Sequence, residues 1–178
     1  MTTTLNATTS SGLVATPDNS GAIALQNNGV TGLNIDASGR VTTPLQPIFY
    51  AYTFSNDTQS ATKTFSNVPI NVGSCYNNSN GRFTAPVAGV YEFRTSYIGV
   101  NGTVTRLYLY LNNSNIYNGD ANQLRIDATG TGTELPFGEH SLFVSLTVND
   151  YITLYVTTDS GAALTNISWG TFFGRLIG

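Results

Sequence analysis

Apolar and polar positions alternate in short runs along most of this chain. Tyr91, Phe93 and Tyr97 stand at odd positions of one run, and Leu107 and Leu109 do the same in another. Side chains of a β-strand change face at every residue, so each run predicts a strand with one apolar face. Glycines separate the runs and no long stripe of period 3.6 occurs, so the sequence predicts an all-β fold.

The same alternation predicts one domain over residues 48–178. It begins with the aromatic run at 48–54, just after Pro44 and Pro47, and it ends with the run at 168–177. A hairpin is predicted where residues 140–148 and 151–157 flank Asn149-Asp150, because Asn tolerates the positive φ that a tight turn needs. The two prolines mark the joint to the segment that precedes this domain.

The N-terminal part divides into a tail and a repeat. Residues 1–11 have little apolar character, and we predict a tail there that is flexible or becomes ordered by a partner. Residues 12–47 contain two Asp-x-Ser-Gly turns, at Asp18 and Asp36, each between short apolar strands. This pattern predicts a twofold repeat of β-hairpins that are too short to be stable alone. They must lean on the main domain, on copies of themselves or on a larger assembly.

We interpret residues 12–47 as an anchoring segment that ends in a proline linker. Its candidate contact residues share a large apolar side chain: Leu13, Ile23, Leu25, Leu33 and Ile35.

A comb of aromatic residues with one glycine lies at fixed spacing in the middle of the chain. Its positions are Phe65, Asn71, Tyr76, Phe83, Gly89, Tyr91 and Phe93. This spacing resembles the signature of the globular head of complement component one, subcomponent q (C1q). The last signature position, normally aromatic, is Thr95 here. The resemblance implies a jelly-roll β-sandwich like that of the tumour necrosis factors, over about residues 48–178, preceded here by the short hairpin repeat.

The resemblance also implies a homotrimer built around a threefold axis. The candidate interface residues are aromatic: Tyr91, Phe93, Tyr108, Tyr110 and Phe172. Tyr108 and Tyr110 lie opposite the leucine face of their strand, and two tyrosines make that face too apolar to be left wholly in water. The alternative is that these two tyrosines line an exposed surface of the second sheet.

The N-terminal repeat resembles, more weakly, segments near the attachment ends of bacteriophage fibre and virion proteins. This resemblance implies a structural protein of a bacteriophage, located on the virion as capsid decoration or as a tail-fibre tip. Its N-terminal segment would contact other virion proteins. The alternative is a free-standing module that binds glycans or a receptor.

The long polar stretch 112–139 is the candidate ligand-contact loop. Its specific-looking residues are Tyr117, Asp120, Arg125 and Asp127. An aromatic ring beside amides and carboxylates could hold a host-surface polysaccharide, and long loops on a rigid sandwich often carry recognition. The alternative is an ordinary crossing loop.

Charge and composition remove several classes of partner. The net charge is −3, with a pI near 4.8, which argues against nucleic acid because phosphate binding needs clustered Lys and Arg. No apolar run approaches the ~20 residues of a membrane-spanning helix, so membrane insertion is not expected.

Catalysis and metal binding have little support in the sequence. The single Cys and the single His are too few for a zinc site, and no third group is in view to complete a catalytic unit. We therefore expect no enzyme and no cofactor. Calcium is the open question, since some members of the resembled family hold it. Oxygen ligands could come from Asp120, Asp127, Asp150 and Asp159, or from the turns at Asp18 and Asp36, yet none lies in a recognisable calcium loop.

Overall fold

The structure is a computed structural model that describes residues 2–53, 61–98, 105–115, 137–158 and 170–178. These residues contain sixteen β-strands and no helix. The chain divides into two compact units, Met1–Gln46 and Pro47–Gly178. Among the described residues, no helix has the length and apolar character needed to span a bilayer.

The first unit is one five-stranded sheet in the order β2-β1-β3-β4-β5. Its strands are β1 (Thr3–Thr8), β2 (Gly12–Thr16), β3 (Ile23–Asn27), β4 (Val30–Ile35) and β5 (Val41–Thr42).

The N-terminal residues are not a free tail. β1 pairs antiparallel with β2 and parallel with β3, so it lies inside the sheet. The prediction of a flexible tail over residues 1–11 is therefore wrong for Thr3–Thr8. The Thr and Asn side chains of β1 gave no apolar alternation to predict a strand. The strand forms because its backbone is hydrogen-bonded to β2 and β3.

The inserted strand also changes the predicted repeat. β4 and β5 form the second predicted hairpin, but β2 and β3 are separated by β1 and do not pair. The first turn is therefore a crossover between non-adjacent strands, and the prediction of two equivalent hairpins is wrong for its first half.

Both Asp-x-Ser-Gly turns are closed by their own polar groups. The Asp18 carboxylate accepts hydrogen bonds from the backbone N–H of Ser20 at 2.9 Å and from its hydroxyl at 2.7 Å. Asp36 accepts from the N–H of Ser38 at 2.9 Å. These bonds are the ordinary Asx-turn pattern and give both aspartates a structural role.

The second unit is a sandwich of two sheets, and its strands are numbered on from β5. They are β6 (Ile48–Thr53), β7 (Ala61–Thr62), β8 (Asn67–Val72), β9 (Tyr76–Asn77), β10 (Arg82–Thr84), β11 (Gly89–Ile98), β12 (Thr105–Leu111), β13 (Ser114–Asn115), β14 (Phe137–Leu146), β15 (Tyr151–Thr158) and β16 (Gly170–Leu176). One sheet has the order β13-β12-β15-β10-β9, with β7 also on β15, and the other has the order β14-β11-β16-β6-β8.

Neighbouring strands in both sheets are antiparallel and mostly distant in sequence. The chain crosses between the sheets, as in a jelly roll, and the predicted all-β jelly-roll sandwich is confirmed.

Aromatic rings fill the space between the two sheets. Phe49 stacks on Tyr76 with ring centroids 4.8 Å apart and meets Phe172 edge-on at 4.9 Å. Phe83, from the opposite sheet, contacts Phe93 at 5.1 Å and Tyr91 at 5.2 Å. Offset and edge-to-face ring pairs of this kind stabilise a core beyond the area they bury.

The comb residues have a structural explanation. The amide of Asn71 donates to the carbonyl of Tyr76 at 2.8 Å and accepts from its N–H at 3.0 Å. The Tyr76 hydroxyl in turn accepts from the N–H of Phe65 at 3.2 Å, inside the core. At Gly89, a Cβ atom would lie 2.6 Å from Leu176 and 2.7 Å from the carbonyl oxygen of Gly178, so the backbones approach too closely for any larger residue. The comb residues therefore have structural roles in the core and turns of the sandwich.

Thr95 and Asn149 differ from the usual residues of the resembled family, and each fits its position in this structure. Thr95 is buried and its hydroxyl donates to the carbonyl of Thr171 at 2.9 Å, which satisfies a polar group where a ring is usual. Asn149 has a φ of 71°, so the predicted turn with Asn at positive φ is confirmed. The predicted hairpin is wrong, because β14 pairs with β11 and β15 pairs with β12 in the other sheet, so the turn connects the two sheets.

Candidate interaction surfaces

Three of the five predicted interface residues lie in the core of a single chain. Tyr91, Phe93 and Phe172 are 0% exposed and point between the sheets. A side chain without exposed area in one copy has none to offer a second copy, so this part of the interface prediction is wrong. The aromatic alternation of β11 marks the inward face of the strand, and the opposite face carries Glu92 and Arg94.

Tyr108 and Tyr110 do point outward, on β12, and they belong to a larger cluster. Tyr110 stacks on Tyr155 of the neighbouring β15 with centroids 5.4 Å apart and lies 6.4 Å from the ring of Tyr108. Desolvation raises the pKa of Tyr110 most, and the neighbouring Tyr155 and Tyr108 raise it further. We call these three rings the tyrosine face. Their role in a trimer stays a prediction.

Arg82 of β10 places a positive charge over another tyrosine ring, that of Tyr151, on the same sheet. The guanidinium carbon of Arg82 lies 4.1 Å from the centroid of the Tyr151 ring, which is a cation–π distance. Arg82 and Tyr151 stand on paired neighbouring strands.

The outward face of the other sheet combines aromatic, aliphatic and charged side chains. Strand register places Glu92 beside Arg175 and Phe143, and places Arg94 beside Phe173. The next strand adds Tyr50 opposite Phe173. We call these side chains the Glu92 face.

Glu92 is the electrostatic centre of this face. Arg94 donates from Nε to its Oε1 at 2.6 Å, and Arg175 donates from Nε to its Oε2 at 2.7 Å. The hydrogen bond from Arg94 lowers the pKa of Glu92 most, partial desolvation opposes it, and Arg175 lowers the pKa further. The two arginines leave the glutamate with only 4% of its side chain exposed, although it lies on the outside of the sandwich. Charge on this face is therefore largely paired.

An open pocket of about 330 Å³ lies over these side chains. It is lined by Tyr50, Glu92, Arg94, Glu139, Thr171, Phe173 and Arg175. Beside it, the Phe143 ring is 60% exposed. Aromatic rings and arginine next to exposed aliphatic side chains such as Ile70 are the usual composition of the centre of a protein–protein interface.

Sequence reasoning missed the Glu92 face because its centre is a tertiary contact. Glu92 and Arg175 are 83 positions apart and become neighbours only through the pairing of β11 with β16. The alternation of Glu92 and Arg94 was the one local signal available.

The predicted ligand-contact residues Tyr117, Asp120, Arg125 and Asp127 lie outside the described residues. Within the part of the chain that is described, no group of three or more His, Cys, Asp or Glu side chains is close enough to hold a metal ion. The Asp150 carboxylate accepts from the Asn112 amide at 2.8 Å and from the Thr147 N–H at 2.7 Å, and these bonds lower its pKa. It therefore serves the turn between β14 and β15.

Cys75, the free thiol, is buried just after β8. Its Sγ donates to the carbonyl of Val72 at 3.4 Å, and desolvation raises the pKa of the thiol to about 11. A thiol held protonated in this way packs as a small apolar side chain and is a poor nucleophile.

The second unit is therefore a two-sheet jelly roll with an aromatic core, the Glu92 face on one sheet and the tyrosine face on the other. The sequence profile of the C1q domain matches residues 48–177, and the chain belongs to this family. C1q domains are non-enzymatic binding and recognition modules that typically assemble as trimers.

Comparison with solved structures supports the same fold. The globular domain of zebrafish complement 1qA protein aligns with a TM-score of 0.56 and 16% sequence identity. The alignment covers 75% of this chain and 98% of the zebrafish domain. No curated protein sequence matches the chain.

Proposed function

We propose that the protein is a non-enzymatic structural and recognition protein whose C1q heads form a homotrimer through the Glu92 face. The observation that carries this proposal is the 60% exposed ring of Phe143 beside a carboxylate already neutralised by two arginines. Covering this face removes apolar area from water and buries a carboxylate that already has two charged partners, whereas burying a carboxylate without a partner is costly.

Sedimentation of the purified full-length chain tests the assembly. The expected mass is three times the 19.0 kDa of one chain. Phe143→Asp should shift the protein to monomer at micromolar concentration, because each interface would then bury a new carboxylate. Tyr108→Asp, on the tyrosine face, should leave the trimer intact. A monomeric wild type contradicts the proposal, and the reverse response of the two variants moves the contact to Tyr108 and Tyr110.

The place of this trimer, in our proposal, is the surface of a bacteriophage virion. What supports it is the resemblance of the N-terminal repeat to attachment segments of virion and fibre proteins. The trimer would be a short projection, as capsid decoration or as a tail-fibre tip, and its N-terminal unit would meet other virion proteins. Antibody labelling of purified particles in the electron microscope tests this placement. Absence of the protein from particles contradicts it.

The second candidate is a free-standing module that binds glycans or a receptor. The tyrosine face favours it, because outward-facing rings such as Tyr108 and Tyr155 are typical contacts for sugars, and the predicted loop over residues 112–139 would add polar groups. Binding of the isolated trimer to a panel of surface polysaccharides would support this function. Tyr108→Ala and Tyr117→Ala, compared separately, would locate the contact, and no binding to any polysaccharide or host cell would contradict it.

A further inference from the structure

The two faces of the N-terminal sheet have opposite character. Side chains at paired positions of neighbouring strands share a face, so the register assigns each residue to one side. One side contains Leu5, Ala7, Leu13, Ala15, Ile23, Leu25, Val30, Leu33, Ile35 and Val41, with Thr3 and Asn27 as its polar members. The other side contains Thr4, Asn6, Val14, Thr16, Ala24, Gln26, Asn34 and Thr42. We call the first side the aliphatic face.

The aliphatic face is open to solvent in a single chain. Leu13 is 72% exposed, Val41 60%, and Leu25, at the centre of the sheet, 44%. Residues 2–46 form one layer and supply no second layer to cover these side chains. A sheet with an apolar face is stable only when that face packs on another layer. A contiguous cluster of exposed aliphatic side chains such as this one marks an interaction surface.

We propose that this face is covered by the same face of two further copies of the chain, so that three N-terminal sheets pack together within one trimer. The inference rests on the proposed trimer of heads. It assigns the predicted anchoring side chains Leu13, Ile23, Leu25, Leu33 and Ile35 to contacts between copies.

The charge distribution of the sheet fits identical partners. The charged side chains of residues 2–46 are Asp18, Asp36 and Arg40, and all three lie at turns. Three aliphatic faces can therefore meet without like-charge repulsion. The opposite face carries mainly hydroxyl and amide groups around the buried Ala24, and it would lie on the outside of the assembly. No charge pattern on the aliphatic face selects a foreign partner.

A short connection joins each N-terminal sheet to its head. Residues 43–47 separate β5 from β6, so each sheet is tethered to its head by five residues. Once three heads associate, short tethers hold the three sheets at an effective concentration on the order of millimolar. Apolar faces that associate weakly as separate sheets then pack within one trimer. The unpaired edges of β2 and β5 remain for contacts with other proteins.

Cysteine labelling of the full-length trimer tests the occupant of the face. Leu25→Cys places a thiol on the aliphatic face, and Thr16→Cys, at an exposed position of the opposite face, is the matched control. In the trimer, a water-soluble maleimide should label the thiol at position 25 at least tenfold more slowly than the thiol at position 16. The difference should vanish in the monomer produced by the head-interface substitution. The native Cys75 is buried and reports whether the head stays folded.

Each other outcome overturns the inference in a recognisable way. Equal labelling of both positions in a protein that sediments as a trimer shows an open face and leaves the head trimer standing. Slow labelling at position 25 in both trimer and monomer assigns the cover to the same chain. Protection that appears only on virus particles assigns it to a virion protein. A monomeric wild type removes the proposed function and this inference together.

A second pair of variants does not depend on labelling. Leu25→Asp should leave the trimer mass unchanged and raise amide hydrogen exchange across β1–β4 at least tenfold, since three carboxylates would meet in one apolar cluster. Gln26→Asp, the next residue on the polar face, should change exchange by less than twofold. Equal effects of the two substitutions contradict the proposal.

Discussion

The Nε atom of Arg175 lies 2.7 Å from the Oε2 atom of Glu92, and this ion pair joins β16 to β11 at the centre of one sheet. Arg94 holds the other oxygen of the same carboxylate at 2.6 Å. Because the pKa of Glu92 is lowered in the folded state, its contribution to stability is present above the ordinary glutamate pKa of 4.5 and is lost as the pH falls through the folded value.

Glu92→Gln should therefore destabilise the protein at pH 7 and have less effect in acid. Both arginines are about half exposed, so we expect a loss of about 1 kcal/mol in the free energy of unfolding at neutral pH. Urea titrations at pH 7 and at pH 3, at one protein concentration, measure the difference. Glu139→Gln, at an exposed carboxylate of the same pocket, is the control. A loss of equal size at both pH values would show that the ion pairs contribute nothing.

The buried hydroxyl of Tyr76 predicts a weakening of the fold in alkali. Desolvation raises the pKa of Tyr76 to about 12, although its bond from the Phe65 N–H opposes the shift. A raised pKa means that the stabilisation is complete below the ordinary tyrosine value of 10 and declines as the pH approaches 12.

Tyr76→Phe removes this ionisable group and leaves the Phe65 N–H without its acceptor. We expect a loss of about 1 kcal/mol at pH 8 and a smaller further decline between pH 10 and 12 than the wild type shows. Urea midpoints across that range give both quantities. Parallel curves for the two proteins would refute the role of Tyr76.

Cys75 should react slowly while the protein is folded. Its pKa of about 11, against an ordinary value of 9.0, lowers the thiolate fraction at pH 8 by about 100-fold, and burial slows access further. Alkylation at pH 8 should therefore be at least about 100-fold slower in buffer than in concentrated urea. Thr16→Cys, studied in a Cys75→Ala background, supplies an exposed thiol for comparison. Rapid labelling of the folded wild type would show that the thiol is accessible.

Gly174 occupies a position where the core leaves no room for a side chain. A Cβ there would lie 2.6 Å from the ring of Phe49 and 2.7 Å from the ring of Phe93. Gly174→Ala should lower the free energy of unfolding by about 1–3 kcal/mol, since crowding a packed core displaces side chains from their rotamers. Thermal melts measure the loss. Ser141→Ala, outward on β14, should change stability by less than about 0.5 kcal/mol, and a Gly174→Ala effect of that size would contradict the packing argument.

Local patterns identified much of the head before its structure was known. Alternation located β11, β12 and β15, and the Asn149-Asp150 turn follows from the tolerance of Asn for positive φ. These features depend on neighbouring residues, so a single sequence carries them. The spacing of the comb, from Phe65 to Phe93, identified the family because each of its residues meets a fixed requirement of the core.

Contacts between distant strands were beyond the reach of the same patterns. Alternation separates the two faces of β11, yet it does not say that Tyr91 and Phe93 meet the opposite sheet while Glu92 meets Arg175. The aromatic side chains were therefore assigned to a trimer interface when they belong to the core.

In the N-terminal unit, too, some features follow from neighbouring residues and others from contacts between distant strands. Composition and turn residues by themselves determined that residues 12–47 form short strands around Asp18 and Asp36. Only the tertiary structure decided that β1 enters the sheet between β2 and β3 and that the aliphatic side chains share one face. The physical reason is that strand order and register depend on hydrogen bonds between residues far apart in sequence, whereas turns and alternation depend on residues side by side.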